Sequence, residues 1–421
     1  MKDVIVVGAG AAGTISAGFA ARRGFDVTLV ERNERPCRKV MITGKGRCNL
    51  TNNCGLAEFL ENVPRNARFL YSAVTAFGPS QTMDFFEKLG VPLKTERGRR
   101  VFPQSDRAAD IAEALAAFAR VDGCRLTHGR VTALLTDGGR VRGVRLEGGR
   151  ELTADAVIVC TGGKSYPLTG STGDGYALAE SVGHTIIPPA PSLVPIETQE
   201  PWVKELQGLS LRNAGLEVIN NQTGKTVYSE LGELLFTHFG VSGPLVLSAS
   251  AHMREGPEGR WPAGRYTLRI DLKPGLDLQK LDARLQRDFS QSLNRDFRNS
   301  LGGLLPAKLI PVAVRLSGIP PELKVNQVTK EQRQAFALLI KGLALTCVRP
   351  RPVEEAVVTS GGVKTGEINP KTMESKLVGG LYFAGEMIDC DAYTGGYNLQ
   401  IAFSTGFAAG NALPGGDKLE G

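Results

Sequence analysis

The segment Val4-Ile5-Val6-Val7-Gly8-Ala9-Gly10-Ala11-Ala12-Gly13, near the start of the chain, is the most informative part of the sequence about the fold. Its four apolar residues predict a buried strand, and the glycines that follow mark a turn before an alanine-rich helix. A second apolar run, Val27-Thr28-Leu29-Val30, ends at Glu31, which is placed to accept hydrogen bonds from an adenosine ribose. Strand, glycine turn, helix, strand and acid in this order predict a dinucleotide-binding βαβ unit.

Each glycine of the turn answers a separate physical need. Gly8 allows the tight turn, Gly10 leaves room for a pyrophosphate beside the backbone, and Gly13 lets the helix pack closely on the sheet. The helix N-terminus at Ala11 and Ala12 then faces the phosphates with free N–H groups and a positive dipole end. An ordinary glycine-rich turn is the alternative, but it would not require the strand before it or the acid after it.

The composition is that of an ordinary enzyme. A chain of 421 residues exceeds what one core fills, which predicts two or three domains. No apolar run reaches the roughly 18 residues of a membrane span, and this favours a cytoplasmic protein. The seven cysteines include no C-x-x-C pair, so neither a metal site nor a disulfide framework is expected.

The charge raises the question of nucleic acid. The formal charge is +7 and the pI is near 9.0. The basic residues do not form one tract, and their densest group is Arg97-Gly98-Arg99-Arg100. A solvated face, or a site for an anionic cofactor or substrate, is therefore favoured over a nucleic-acid footprint.

The segments after the opening unit continue an α/β pattern. Residues 107–120 predict an amphipathic helix, and Arg125–Thr127 leads towards an antiparallel excursion. A hairpin is predicted for Gly129–Leu135 and Arg140–Leu146 because a Gly-Gly turn separates them. The apolar run Asp155–Cys160 is typical of a strand at the centre of a sheet.

The pattern changes after Pro188-Pro189-Ala190-Pro191 and becomes rich in strands, with candidates that include Lys225–Ser229 and Glu233–Phe236. It then becomes helical, with the periodic segments Gln279–Leu293 and Lys330–Leu343, and returns to the opening style near residue 355. We therefore expect an α/β fold in which a Rossmann-like domain is interrupted by a β-rich module and a small helical module. The predicted domains are 1–190 with 355–421, then 191–274 with about 345–354, and 275–344.

Four segments together carry a resemblance. They are the opening motif, the loop Arg38–Asn52, the turn Thr161-Gly162-Gly163, and the end Ala384-Gly385-Glu386 with Gly395-Gly396-Tyr397-Asn398-Leu399-Gln400. They resemble the bacterial FAD flavoproteins of the BaiN-like group, which includes bile-acid Δ4,6-reductases and an aminoacetone oxidase branch. That family usually has glycine at the position of Cys37 and often has glycine at the position of Lys45.

The C-terminal segment favours FAD over NAD as the resident cofactor. At the end of a strand, Gly385-Glu386 would present a backbone N–H to the pyrophosphate and a carboxylate to the ribityl hydroxyls. The helix starting at Asn398–Ile401 would lie beneath the flavin pyrimidine edge, where its dipole stabilises negative charge. A nicotinamide enzyme needs no such second constellation, although strand ends and helix starts are often rich in glycine in any case.

The loop Thr43–Asn52 is expected to contact the cofactor, with a solvated surface loop as the alternative. Its glycines expose N–H groups and its side chains offer charge and amide groups. The main chain of Val131 is expected to touch the adenine. The predicted cofactor-binding residues are Gly8, Gly10, Ala11, Ala12, Gly13, Glu31, Arg32, Arg38, Lys39, Gly44, Arg47, Cys48, Asn49, Val131, Thr161, Gly162, Gly385, Glu386, Gly396, Asn398, Leu399, Gln400 and Ile401.

Two residues are candidates for catalysis beyond the flavin. Cys48 could be a redox thiol, but without a resolving cysteine nearby a packing role is favoured. His238 lies in the segment Phe236–Gly243, and a lone histidine in an apolar stretch more often has a structural role.

The expected function is that of an FAD-dependent oxidoreductase acting on a small molecule. No second glycine fingerprint follows another strand, so NADH or NADPH, as a transient reductant, would reach the flavin through the substrate opening. The resemblance favours reduction of a conjugated C=C, as in a bile-acid-type enone, over oxidation of an aminoacetone-like amine. Two alternative hypotheses belong to other functional classes. One is an RNA-binding or tRNA-modifying flavoprotein, and the other is a non-catalytic flavoprotein.

Overall fold

The protein is described by a computed structural model, which covers residues 2–253 and 262–416. Its contacts divide the chain into two compact units. The first, unit 1, comprises Met1–Ser192 and Pro352–Gly421, and the second, unit 2, comprises Leu193–Arg351.

The described strands are, in chain order, β1 (Asp3–Val7), β2 (Asp26–Glu31), β3 (Thr51–Asn52), β4 (Leu93–Thr95), β5 (Arg100–Pro103), β6 (Cys124–His128), β7 (Val131–Asp137), β8 (Arg140–Leu146), β9 (Glu151–Thr153), β10 (Ala156–Val159), β11 (Ile186–Ser192), β12 (Ile196–Thr198), β13 (Ser210–Asn220), β14 (Lys225–Phe236), β15 (Gly240–Ser242), β16 (Tyr266–Asp271), β17 (Leu343–Pro350), β18 (Val358–Val363) and β19 (Leu381–Phe383).

The described α-helices are α1 (Ala11–Arg22), α2 (Arg38–Ile42), α3 (Leu56–Glu61), α4 (Ala67–Ala76), α5 (Pro79–Lys88), α6 (Ala108–Ala119), α7 (Asp174–Ser181), α8 (Pro244–Ser250), α9 (Leu278–Ser290), α10 (Ile310–Ser317), α11 (Lys330–Lys341) and α12 (Tyr397–Asn411). No helix in this described part of the chain is long and apolar enough to cross a membrane.

Unit 1 is built on a parallel sheet of five strands in the order β19-β10-β1-β2-β6. The strands β10 and β19 are buried along their whole length, and β1 is buried after its first residue. Strands covered on both faces are encoded by continuous apolar runs rather than by alternation, which is why the sequence pattern marked them. This sheet confirms the predicted α/β, Rossmann-like fold class.

The first and last helices of unit 1 pack backbone against backbone. The Ser16 hydroxyl of α1 donates a hydrogen bond of 2.9 Å to the Gly406 carbonyl of α12. A Cβ on Gly406 would lie 2.5 Å from the Ala12 carbonyl oxygen, and a Cβ on Gly410 would lie 2.5 Å from that of Ser16. Small residues on both helices thus bring the end of the chain against its beginning.

Smaller sheets flank this core. The predicted hairpin is part of the antiparallel sheet β7-β8-β9, although its first strand begins at Val131 rather than Gly129. Arg125–Thr127, expected to lead into that excursion, instead lies in β6, which pairs in parallel with β2 at the sheet edge. The remaining strands of unit 1 form the sheet β3-β5-β4 and the pair β11-β18.

Unit 2 contains a closed barrel in the order β12-β15-β14-β13-β16-β17. The segments Lys225–Ser229 and Glu233–Phe236, predicted as two strands, form the single strand β14, which keeps its pairing with β13 through register shifts. The predicted helix Gln279–Leu293 ends at Ser290, and the predicted helix Lys330–Leu343 ends at Lys341. One apolar cluster joins the barrel strands to α9, α10 and α11, so these helices complete the barrel core.

Candidate functional site

The carboxyl ends of four adjacent parallel strands bring the predicted motifs together. Gly8 follows β1, Thr161 lies two residues beyond β10, Gly385 lies two residues beyond β19, and Glu31 ends β2. Neighbouring strands lie about 4.8 Å apart, so the four ends span roughly 14 Å. Motifs from the two ends of the chain therefore meet at one edge of the sheet, where ligands of open α/β sheets bind.

The glycine turn is closed at two positions and open at the third. Gly8 has a φ of +97°, and a Cβ there would lie 2.6 Å from the Cys160 carbonyl oxygen. A Cβ on Gly13 would lie only 1.8 Å from the Gly8 carbonyl oxygen, so a side chain at that position is excluded. A Cβ on Gly10 would meet no atom within 4 Å, and no described side chain caps α1 there. This open space beside an uncapped helix N-terminus fits a pyrophosphate.

Glu31 is held rigidly next to this turn and is 8% exposed. Its Oε2 accepts a hydrogen bond of 2.8 Å from the Ala9 N–H, and its Oε1 accepts bonds of 2.8 Å and 2.7 Å from the backbone and side-chain amides of Asn33. A carboxylate has about four lone-pair sites, so capacity for a further donor remains. Sequence reasoning missed Asn33, although its place two residues after the acid was a local signal.

The cations expected near the adenosine end have partners within the protein. Arg32 pairs with Asp174 at 3.0 Å, and Arg130 pairs with the same carboxylate at 2.8 Å. Arg130 is the main cause that holds the pKa of Asp174 below its usual value. Arg38 donates to the Asn33 side-chain oxygen at 3.0 Å. These contacts position the polypeptide around Glu31, and contact of Arg32 and Arg38 with the cofactor stays a prediction.

Val131 lies at the start of the same neighbourhood. It is 6% exposed and begins β7 next to Arg130. The N–H of Gly129 donates to the Glu31 carbonyl at 2.9 Å, which ties the start of the hairpin to the end of β2. Contact of Val131 with an adenine stays a prediction.

Lys39 and Glu386 form the centre of a buried polar cluster. The Lys39 ammonium lies 2.6 Å from Glu386 Oε2 and donates to the Ser165 hydroxyl at 2.6 Å. Glu386 Oε1 accepts 2.9 Å bonds from the Ser165 hydroxyl and from the Thr359 N–H. Burial acts to raise the pKa of Glu386, but Lys39 together with the hydrogen bonds from Thr359 and Ser165 outweighs it and holds that pKa below its usual value. Glu386 thus stays ionised at the predicted ribityl position.

The N–H of Gly385 is used within the protein. It donates a 2.9 Å hydrogen bond to the Thr405 hydroxyl of α12. Contact of the Gly385-Glu386 backbone with a pyrophosphate stays a prediction, and it would fall to the Glu386 N–H. Beyond the neighbouring strand β10, the Thr161 side chain packs against Gly175, because a Cβ on Gly175 would lie 1.9 Å from the Thr161 hydroxyl oxygen. The next residue, Gly162, has a φ of +73°.

The glycine-rich loop after α2 combines paired charges with an unpaired amide. Gly44 has a φ of +57° and lies close to the Asn49 backbone, since a Cβ there would be 2.9 Å from the Asn49 nitrogen. Arg47 was expected to supply charge to the cofactor, but it pairs with Glu96 and Asp106. Asn49 Oδ1 is buried with no hydrogen-bond partner among the described residues. Such an orphaned acceptor fits a ligand that donates to it.

Cys48 is a buried thiol rather than a poised nucleophile. It is 0% exposed, and burial raises its pKa to about 12. A thiol protonated at neutral pH and closed to solvent does not react as a thiolate. The geometry therefore favours the packing role for Cys48.

The start of α12 is fixed by its own side chains. Gly396 precedes the helix with a φ of +99°, and a Cβ there would lie 2.3 Å from the Thr51 carbonyl oxygen. The Asn398 side chain accepts a hydrogen bond from the Ala392 N–H and donates one to the Ala392 carbonyl. Gln400 is fully buried and accepts a 2.6 Å hydrogen bond from the Thr51 hydroxyl.

Leu399 and Ile401 occupy the apolar side of the same turn of α12. Ile401 is 2% exposed, and Leu399 packs on the cluster behind the loop after α2. The side chains of this turn thus serve the protein, which leaves the backbone dipole of the helix N-terminus for a ligand.

His238 lies in unit 2 and is exposed at the tip of a turn. The N–H of Thr237 donates to the Gly240 carbonyl at 2.8 Å, which closes this turn. The His238 ring lies edge-on to Phe239 at 4.9 Å, and the Arg351 guanidinium lies 4.9 Å from the Phe239 ring centre. His238 is therefore not the buried structural histidine that the apolar stretch suggested.

The parallel sheet, the glycine turn and the rigid acid define a Rossmann-type dinucleotide-binding protein. A family model described as HI0933-like protein Rossmann domain matches residues 2–412, and the chain belongs to this HI0933-like Rossmann family. This membership confirms the resemblance seen in the sequence and the prediction of an FAD-dependent oxidoreductase.

Individual relatives differ in what they are named for. The chain is 33% identical over 417 residues to the 3-dehydro-bile acid delta(4,6)-reductase of Clostridium scindens, with 98% of this chain and 99% of the relative covered. It is 33% identical over 423 residues to the ribosomal RNA dihydrouridine synthase of Escherichia coli, with 98% of each covered. The crystal structure of the 3-ketosteroid delta1-dehydrogenase of Sterolibacterium denitrificans is similar with a TM-score of 0.47 and 14% identity, over 98% of this chain and 99% of that one.

Proposed function

We propose that this protein reduces a C=C bond that is conjugated with a carbonyl group, using FAD as resident cofactor and NADH or NADPH as electron source. One observation carries the proposal: two relatives of nearly full length are named for unlike substrates but for the same reaction class. The first name describes a 3-oxo steroid with Δ4 and Δ6 double bonds. The second describes a uracil whose C5=C6 bond, conjugated with the C4 carbonyl, becomes saturated.

The residues at the edge of the sheet fit the cofactor. The open space at Gly10 and the uncapped start of α1 would hold the pyrophosphate, and Glu31 would hold the adenosine ribose. Glu386, kept ionised by Lys39, would accept from the ribityl chain, and the start of α12 would lie at the pyrimidine edge. When bound there and reduced by NADH or NADPH, the flavin would supply a hydride to the carbon β to the carbonyl, while a proton from solvent would go to the α carbon.

Uridine in RNA is the substrate that a second observation favours. Residues 278–341 carry 11 Lys and Arg against 5 Asp and Glu, a surplus of six positive charges in a chain of net charge +7. These residues include α9, α10 and α11, which pack on one barrel core in unit 2. Eleven of the chain's 50 Lys and Arg thus lie in this helical part, and its surplus of positive charge supports binding to a phosphate backbone.

The test starts with the purified protein and its cofactor. Heat release and chromatography should yield FAD rather than FMN, because the opening motif binds an ADP moiety that FMN lacks. The flavin should then bleach anaerobically with NADH or NADPH. Reoxidation by a 3-oxo-Δ4 steroid or by unmodified ribosomal RNA, with the gain of two hydrogens followed by mass spectrometry, separates the two substrates.

Two outcomes would contradict the proposal. One is a flavin that no nicotinamide reduces. The other is a protein that oxidises aminoacetone with oxygen and reduces neither C=C substrate, which would favour the amine oxidase instead.

A further inference from the structure

The loop Arg97-Gly98-Arg99-Arg100, between β4 and β5, is exposed over all four residues. Gly98 has a φ of +75° and Arg99 a φ of +58°, so two successive left-handed residues turn the chain sharply. The Arg100 Nε donates to the Arg97 carbonyl at 3.1 Å, which folds the Arg100 side chain back towards the start of the loop. The loop therefore gathers its basic residues over a short length of chain.

The charges of this region are unequally compensated. Arg99 pairs with Glu58, while Arg47 and Lys94 share the two carboxylates of Glu96 and Asp106. Arg97 and Arg100 form no ion pair with any carboxylate in the described ranges, and both lie at the protein surface. These two guanidinium groups keep their capacity for a bidentate anion.

Asn52 joins this loop to the flavin end of the candidate site. Its Nδ2 donates 3.1 Å hydrogen bonds to the Gly98 carbonyl and to the Gly395 carbonyl, so these two carbonyl oxygens lie no more than about 6 Å apart. Gly395 directly precedes Gly396, the N-cap of α12. Asn52 is 3% exposed, and its Oδ1 is buried without a hydrogen-bond partner among the described residues. This acceptor would take a hydrogen bond from a ribose hydroxyl of a nucleotide ligand, whereas a phosphate group, which only accepts, would not satisfy it.

We propose that Arg97 and Arg100 bind a phosphate group of a ligand that enters the site at the start of α12. This inference rests on the proposed function, which supplies two sources of such a phosphate: a nicotinamide dinucleotide and an RNA strand. A steroid enone carries no phosphate and would make no use of these residues. The arginine forks match phosphate oxygens in pairs, and the Asn52 clamp holds the loop beside the reacting end of the flavin.

The experiment compares the full-length FAD-loaded protein with the double variant Arg97→Gln/Arg100→Gln. In one arm, stopped-flow reduction of the flavin gives the dissociation constants of NADPH and NADH. In the other arm, fluorescence anisotropy gives the affinity for a labelled single-stranded RNA containing uridine at two salt concentrations. Arg107→Gln is the matched control, because Arg107 is also an exposed cation of unit 1, with 68% of its side chain exposed.

The expected result is a loss of about tenfold in affinity for one phosphate source, with unchanged FAD content and an unchanged limiting rate of flavin reduction. The arm that changes identifies the source, and Arg97→Lys/Arg100→Lys should recover only part of the affinity because it keeps the charge but not the bidentate fork. The inference is overturned if the double variant behaves like Arg107→Gln in both arms, or if the wild-type protein binds neither probe. Neither arm needs turnover of a C=C substrate, so failure of the proposed function is detected separately.

Discussion

The Lys39 ammonium and the Glu386 carboxylate lie 2.6 Å apart although 347 residues separate them in the chain. Both side chains are largely buried, with 23% and 18% of their surface exposed. This pair, with Ser165 and Thr359, connects the loop after β2 to the turn after β19. It makes the candidate cofactor site dependent on contacts between the two ends of unit 1.

Removal of one partner should therefore destabilise the protein. Lys39→Met leaves the buried Glu386 charge without its cation, and we expect a loss of about 2–4 kcal/mol in the free energy of unfolding near pH 7. Urea unfolding measures it. Lys94→Met, which breaks a more exposed pair, should cost no more than about 1 kcal/mol, and an equal effect of the two variants would contradict the role of the pair.

The pH dependence follows from the same contact. Because the folded-state pKa of Glu386 is below its usual value, the stabilisation is present above that usual value and is lost as the pH falls through the folded-state pKa. In Lys39→Met, only the hydrogen bonds from Thr359 and Ser165 oppose burial, so we expect the pKa of Glu386 to rise. The difference in stability between wild type and variant should thus shrink when unfolding is repeated near pH 4.

The glycine turn predicts opposite behaviour for two substitutions. Gly10→Val should leave the apoprotein as stable as wild type, because a Cβ there meets no atom within 4 Å, but it should abolish FAD retention on dialysis. Gly13→Ala should lower the melting temperature of the apoprotein itself, because its Cβ would lie 1.8 Å from the Gly8 carbonyl oxygen. Thermal unfolding and flavin content of both variants decide this, and a Gly10→Val protein that keeps stoichiometric FAD would mean that the dinucleotide lies elsewhere.

Glu31→Ala should weaken FAD binding. Each charge-assisted hydrogen bond lost to the ribose is worth roughly 1.5–3 kcal/mol, which corresponds to about 10- to 100-fold in the dissociation constant. Isothermal titration of the apoprotein with FAD measures the change. Glu34→Ala, a nearby exposed acid, serves as control, and equal affinities of the two variants would exclude Glu31 from the ribose site.

Substrate choice should depend on unit 2. The exposed turn at His238 and Phe239 has no cofactor motif near it in sequence, and its Phe239 ring is flanked by Arg351. His238→Ala and Phe239→Ala should change KM or kcat for the substrate while FAD stays bound. Steady-state kinetics with flavin content measured in parallel provide the test. Unchanged kinetics in both variants would exclude this turn from the substrate pocket.

The opening βαβ unit could be predicted because its information is local. The positive φ of Gly8, the packing of Gly13 on the Gly8 carbonyl and the contacts of Glu31 with Ala9 and Asn33 all arise within about two elements of chain. The same holds for the hairpin of β7 and β8, whose Gly138 and Gly139 adopt the positive φ angles that a two-residue turn needs. The full length of β14 was harder to predict, because this strand continues through a polar stretch that indicates the end of a strand in the sequence pattern.

The partners of the charged residues could not be predicted in the same way. Arg32 and Arg47 were expected to serve the cofactor, yet they pair with Asp174 and Glu96, which lie 142 and 49 residues further along the chain. The position of a cation in the sequence does not indicate which carboxylate it pairs with, since an ion pair depends only on distance in space. Likewise, nothing in the segment around His238 indicated that the tip of its turn would be exposed.

The parallel sheet, the glycine turn and the membership of a Rossmann family could be inferred from the amino-acid sequence, because strand burial, turn geometry and helix packing each demand particular residues at short spacing. The folded structure was needed to show that Lys39 pairs with Glu386, that the Gly385 N–H donates to Thr405, and that Asn52 connects the loop Arg97–Arg100 to the start of α12. These contacts join segments far apart in the chain, and their energies depend on burial and distance, which are properties of the folded state alone.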